Sequence, residues 1–168
     1  EIIYANKNSS YLFQNLVKIK DIEFSNFSTQ GVTNIGCMFY NCNEIKEINV
    51  VKFDVSAVRN LGNTFYMCNN LERLDVSGWD TSQVTTLFGT FEGCSKLTIL
   101  DVSKWNTSRV VTCGHNGWGY GGTFQNCSGL EELDVSDWDM SQVTDMSNMF
   151  LGCSNLTVID IKKWNTSK

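Results

Sequence analysis

The chain holds one histidine, His115, two residues after a cysteine, Cys113. A thiol and an imidazole within reach can work as nucleophile and base when a third group orients the ring and a cleft admits substrate. Nothing nearby supplies that orienter. Cys113 also stands where other parts of the chain place Ile35, Leu61, Leu87 and Met146, so its side chain is expected in a core. No catalytic residue is assigned, and the chain reads as a non-enzyme. The seven cysteines raise metal and disulfide chemistry, but none follows the C-x-x-C spacing of common zinc and redox sites. Five of them, Cys42, Cys68, Cys94, Cys127 and Cys153, recur in one column. Stacked on neighbouring strands, their Cβ atoms would lie about 4.8 Å apart, wider than the roughly 3.5–4.5 Å of a disulfide. They read as small buried hydrophobes, and no metal or cofactor is expected.

Aspartates form a second pattern. Glu23, Asn49, Asp75, Asp101, Asp134 and Asp160 recur at an outward strand position, with Arg73 and Glu132 beside them. Like charges facing one another across strands repel, so such a row suits a cation or a basic partner. The competing reading is a soluble face screened by Ser77, Ser103 and Ser136. For any single aspartate the soluble reading is preferred; for the face as a whole, a partner surface is. The row Asp54, Asp80, Asn106, Asp139 and Asn165 lacks the spacing of calcium loops and reads as turn-forming side chains. A threonine row, Thr29, Thr81, Thr107 and Thr166, is broken by Val55 and Met140, which argues against a flat array for ice or mineral.

These columns exist because the sequence repeats every 26 residues. "LERLDVSGWDTSQVTTLFGTFEGCSK" from Leu71 returns as "LEELDVSDWDMSQVTDMSNMFLGCSN" from Leu130. Repeats start at 19, 45, 71, 97, 130 and 156; only the step from 97 to 130 differs, by seven added residues. Leu74, Leu100 and Leu133 alternate with Val76, Val102 and Val135, which predicts short strands with one face inward. An aromatic follows at Phe53, Trp79, Trp105 and Trp138. Ile35, Phe39 and Cys42, at offsets of zero, four and seven, predict one face of a short helix, and Thr144 or Asp145 is placed to cap its last copy. The expected fold is therefore an α/β solenoid: a leucine-rich-repeat-like, right-handed stack of strand–turn–short-helix coils with one parallel sheet. Residues 1–168 read as a single solenoid fragment of a longer protein, since the chain starts and stops in mid-repeat.

The added residues fall in "CGHNGWGYGG", about 114–121, and core columns resume at Phe124 and Cys127. An insertion that leaves the core in register must leave it as a surface loop. His115, Asn116, Trp118 and Tyr120 are its candidate ligand contacts, because aromatic faces with polar edges anchor proteins and sugar rings. A neutral insertion whose aromatics fold back over the neighbouring coils is the alternative.

"LDVSGWDTSQVTTLFGTFEGCSKL" and "LDVSDWDMSQVTDMSNMFLGCSNL" resemble the 26-residue repeat of BspA-like leucine-rich-repeat surface proteins of the mycoplasma and Listeria lipoprotein type. The resemblance spans Ile19 to Ser167 and is weaker where Phe27 and Phe53 replace tryptophan. It implies a secreted or cell-surface repeat protein with a role in adhesion. It also marks a departure, since leucine-rich repeats bury an asparagine ladder where this chain has Trp79, Trp105 and Trp138. Net charge of −5 argues against nucleic acid, and no apolar run is long enough to insert in a membrane. The function expected is recognition of a host or matrix protein or glycan by the sheet face and the 114–121 loop. A structural spacer or stalk is the alternative. With no visible caps, end-to-end self-association is also expected.

Overall fold

The computed structural model describes residues 1–114 and 121–166. Four strands form: β1 (Ile3–Tyr4), β2 (Phe27–Ser28), β3 (Glu47–Ile48) and β4 (Arg73–Leu74). β1 pairs with β2 and β3 with β4, both in parallel, with partners 24 and 26 residues apart as in Ile3↔Phe27 and Glu47↔Arg73. Isolated parallel bridges continue the pairing along one further column, Asn8, Asn34, Asn60, Thr86, Thr112 and Asp145.

The α/β solenoid of strand–turn–short-helix coils on one parallel sheet is not what forms. Among the described residues there is no helix, and the strands make two separate two-stranded sheets. The physical reason lies in the segments expected to be helical. Cys37 and Asn41 adopt φ of 58° and 59°, Asn63 and Met67 57° each, Gly89 and Gly93 60° and 78°. A left-handed residue every fourth position stops any right-handed helix. The chain instead makes consecutive tight turns, with Met38 N–H donating to Ile35 O at 3.0 Å and Cys42 N–H to Phe39 O at 3.1 Å. Amides that a helix would turn inward reach across to the next repeat: Phe39 N–H to Thr64 O and Phe65 N–H to Thr90 O, both at 2.9 Å. The zero–four–seven spacing is thus the pitch of a turning path, not of a helix. Asp145 caps nothing helical; its Oδ1 accepts Ser147 N–H at 2.8 Å inside one of these turns.

Each column packs against its copy in the next repeat. Phe39, Phe65, Phe91, Phe124 and Phe150 stack at 5.5–5.7 Å between ring centroids. Trp79, Trp105 and Trp138 stack at 6.1 and 6.3 Å, their planes within 5°. Burying each ring contributes on the order of 1.5–3 kcal/mol, and stacking adds about 0.5–1.5 kcal/mol per pair. The tryptophans also bring a donor. Indole Nε1–H of Trp105 reaches Val76 O at 3.1 Å and that of Trp138 reaches Val102 O at 3.0 Å. So the indole column carries side-chain-to-backbone bonds from repeat to repeat, as a buried amide ladder would. The cysteine column does the same by thiol. Cys68, Cys94 and Cys127 place Sγ 3.2, 3.2 and 3.0 Å from the carbonyl oxygens of Phe39, Phe65 and Phe91. All seven cysteines are free. Three buried threonines repeat the pattern: the hydroxyls of Thr29, Thr81 and Thr107 donate to Asp54 O, Asn106 O and Asp139 O, so these three face inward, while Thr166 is exposed.

Candidate functional site

Two places combine chemistry-bearing residues with an interruption of the regular stack. The first is the base of the insertion. His115, Asn116, Trp118 and Tyr120 lie outside the described residues; the segments that flank them do not. Thr123 donates both its N–H and its Oγ1–H to Cys113 O, at 2.9 and 2.7 Å. In repeats without the insertion, Thr64 and Thr90 make the same pair of bonds to Leu61 O and Leu87 O three residues back. The insertion is therefore closed by the contact that an ordinary turn uses, which is why Phe124 meets Phe91 in step. Two glycines permit the closure. A Cβ on Gly114 would lie 2.3 Å from Ser147 O, and one on Gly122 would lie 1.9 Å from Asn148 O. Only hydrogen fits against the next repeat there.

Cys113 is fully buried, and burial pushes its thiol up to about 12. A thiol so protonated at neutral pH is a poor nucleophile. Beside the insertion sits a residue the sequence did not single out. Glu92 shares the column of Tyr40, Tyr66, Gln125 and Leu151, and its side chain is 2% exposed. Its Oε2 has no hydrogen-bond partner among the described residues. Burial raises its carboxyl to about 7, against a smaller opposing effect of a backbone hydrogen bond from Gly121. Nothing in the sequence marked it, because glutamate in a column of tyrosine and glutamine reads as surface.

The second place is a trough of about 870 Å³ across the last three repeats. Of the acidic row, Asp101, Asp134 and Asp160 line it together with Glu132, while Asp75 and Arg73 lie outside. Arg73 is engaged elsewhere, its Nε 2.9 Å from Glu47 Oε2. Each aspartate of the row has a local task. Asp75, Asp101 and Asp134 accept from the N–H and hydroxyl of Ser77, Ser103 and Ser136 at 2.7–3.1 Å. These bonds hold the Asp101 and Asp134 carboxyls below the usual range, so both are charged at neutral pH. The row is thus a set of turn-closing side chains whose last three members also edge a trough. The following row is local too: Asp54, Asp80, Asn106 and Asp139 accept from the N–H groups of Ser56, Ser82, Ser108 and Ser141.

Strand pairing lapses along the trough, as it also does between residues 21–22 and 47–48. β3 pairs with β4, but the ladder does not pass from Arg73–Leu74 to Ile99–Leu100, nor from there to Glu132, among the described residues. It returns only as Glu132↔Val158. Ile99 and Val158 line the opening and are 79% and 69% exposed.

Among the described residues no group of three His, Cys, Asp or Glu side chains is placed to hold a metal, and no helix is long and apolar enough to cross a membrane. A family model described as "Mycoplasma protein of unknown function, DUF285" matches residues 7–116 and 120–168. No curated protein and no solved structure matches the chain.

Proposed function

The chain belongs to this Mycoplasma repeat family, DUF285, and from that premise we propose that it is a non-enzymatic binding module of a secreted or cell-surface protein. It is the kind of repeat used by BspA-like surface proteins in adhesion, and its ligand is a protein or glycan of the host or matrix. The observation that carries the reading is the trough over Thr98–Asp160. It is an open, partly apolar concavity with charged edges, lined by three successive repeats. A buried, protonated Cys113 supports a binding role over a thiol-dependent one.

The test is binding to a panel of matrix proteins and glycans by the wild-type chain, by Glu131→Gln/Glu132→Gln in the trough and by Trp118→Ala/Tyr120→Ala in the insertion. Loss of binding in the first variant with retention in the second places the ligand on the trough. Loss in the second alone places it on the insertion. The spacer reading predicts that the wild-type chain binds nothing on the panel.

A further inference from the structure

The trough differs from the rest of its face in how charge is balanced. In the second and third positions of the repeat, earlier acids are paired across repeats. Lys46 Nζ lies 3.0 Å from Glu72 Oε1, and Arg73 Nε lies 2.9 Å from Glu47 Oε2. In the trough the same two positions hold Glu131 and Glu132. Their neighbours are Thr98 and Thr157 in one column, Ile99 and Val158 in the other, none of them cationic. Among the described residues, Asp160 is the one trough carboxylate that forms an ion pair, with Lys162 at 3.8 Å. Asp101 and Asp134 form no direct ion pair, though Lys104 and Lys163 stand close enough to favour their charged forms, and Glu131 and Glu132 have no ion pair among the described residues. The cross-repeat ion pairing seen at Lys46–Glu72 and Glu47–Arg73 has no counterpart here among the described residues, and two aliphatic side chains, Ile99 and Val158, stand open to solvent.

The geometry points to an extended, lysine- or arginine-rich polypeptide segment as the occupant of this trough. The inference rests on the binding-module reading and supplies its partner chemistry. Long basic side chains carry both features the trough lacks: aliphatic stems that pack on Ile99 and Val158, and cationic heads that reach Glu131, Glu132, Asp101 and Asp134. A main chain adds a third match. The backbone of Thr98–Leu100 has no strand partner among the described residues, and an extended segment pairs with such groups. A bare divalent cation fits less well, since no three acids converge on one point.

The probe is a fluorescent ten-residue peptide of alternating lysine and valine, titrated into the full chain at low salt, with glutamate–valine and glutamine–valine peptides as controls. The lysine peptide is expected to bind at least ~10-fold more tightly than either control, and to weaken as salt shortens the screening length. Glu131→Gln/Glu132→Gln should weaken it roughly 2- to 10-fold, as expected for losing two solvent-exposed ion pairs. Neither side chain closes a turn, so folding is spared. Val158→Lys places an internal cation opposite Glu132, as Arg73 stands opposite Glu47, and should weaken the peptide at least as much. Asp21→Asn/Glu23→Gln, equal in charge change but lining a separate hollow of about 190 Å³, should leave affinity unchanged. Equal binding of the three peptides, or equal loss in trough and control variants, overturns the inference. If the lysine peptide fails but a panel ligand is released by the trough variant, the partner chemistry is wrong and the binding-module reading stands. If neither binds, both fall.

Discussion

Trp105→Phe isolates what the indole column contributes. Trp105 is buried, stacked between Trp79 at 6.1 Å and Trp138 at 6.3 Å, and bonded through Nε1 to Val76 O at 3.1 Å. The phenyl ring keeps the stack but loses the donor and part of the volume. The carbonyl it leaves is not orphaned, because Val76 O also accepts Trp79 N–H at 3.1 Å. The loss is therefore that of one hydrogen bond, about 0.5–1.5 kcal/mol, without the full penalty of a stranded group. The smaller ring adds a cavity and transfer loss of about 1–2 kcal/mol. The sum is about 1.5–3.5 kcal/mol, which for a chain of this size lowers Tm by roughly 3–14 °C. Urea titration followed by far-UV circular dichroism gives the value. Trp79→Phe should cost less, since its bond to Val50 O is 3.4 Å. Trp164→Phe should cost less again: its Nε1 lies 2.8 Å from Val135 O, but the ring is only half-buried, so both the bond and the lost volume are worth less there. If Trp105→Phe proves no more harmful than Trp164→Phe, the indole ladder is not a source of stability and the account of this column is wrong.

Two further substitutions probe the base of the insertion. Gly122→Ala should prevent the repeat from closing, because its Cβ has backbone 1.9 Å away; a soluble variant with wild-type Tm would refute the close approach. Glu92 makes stability depend on pH. Below about 4.5 both folded and unfolded chains hold its proton; between 4.5 and about 7 the unfolded chain ionises first, so stability falls as pH rises. At 1.36 kcal/mol per pH unit the loss across that window reaches about 3 kcal/mol and stays constant above it. Glu92→Gln should flatten this part of the profile and be more stable than wild type at pH 8. Parallel profiles for the two proteins in urea titrations at pH 4, 6 and 8 would remove Glu92 from the balance.

The repeat was legible in the chain because burial acts on columns. Leu74, Val76, Trp79, Val84, Phe91 and Cys94 must each meet a like neighbour one period away, and that demand persists through seven added residues to Phe124 and Cys127. The turns that replace the expected short helix do leave a signal in the sequence. Asparagine or glycine stands four residues apart at Gly89 and Gly93, and at Asn148 and Gly152, and these are the residues that accept positive φ. Spacing of apolar residues alone does not separate a helix from a run of turns, since both return a side chain to one face.

Other features had no one-dimensional trace. Whether a cysteine is filler or donor depends on a carbonyl 29 residues away, as Phe65 O is from Cys94 Sγ. Whether an aspartate is free for a ligand depends on the turn it closes, and the trough depends on how side chains of three repeats meet in space. Two glutamates of different columns both read as surface in the sequence, yet Glu92 is buried and Glu132 exposed. Composition and period decide which residues share a column, because hydrophobic burial is additive and tolerant of detail. Only the folded chain decides which polar groups find partners, because hydrogen bonds and ion pairs are set by distances of a few ångströms between residues far apart in sequence.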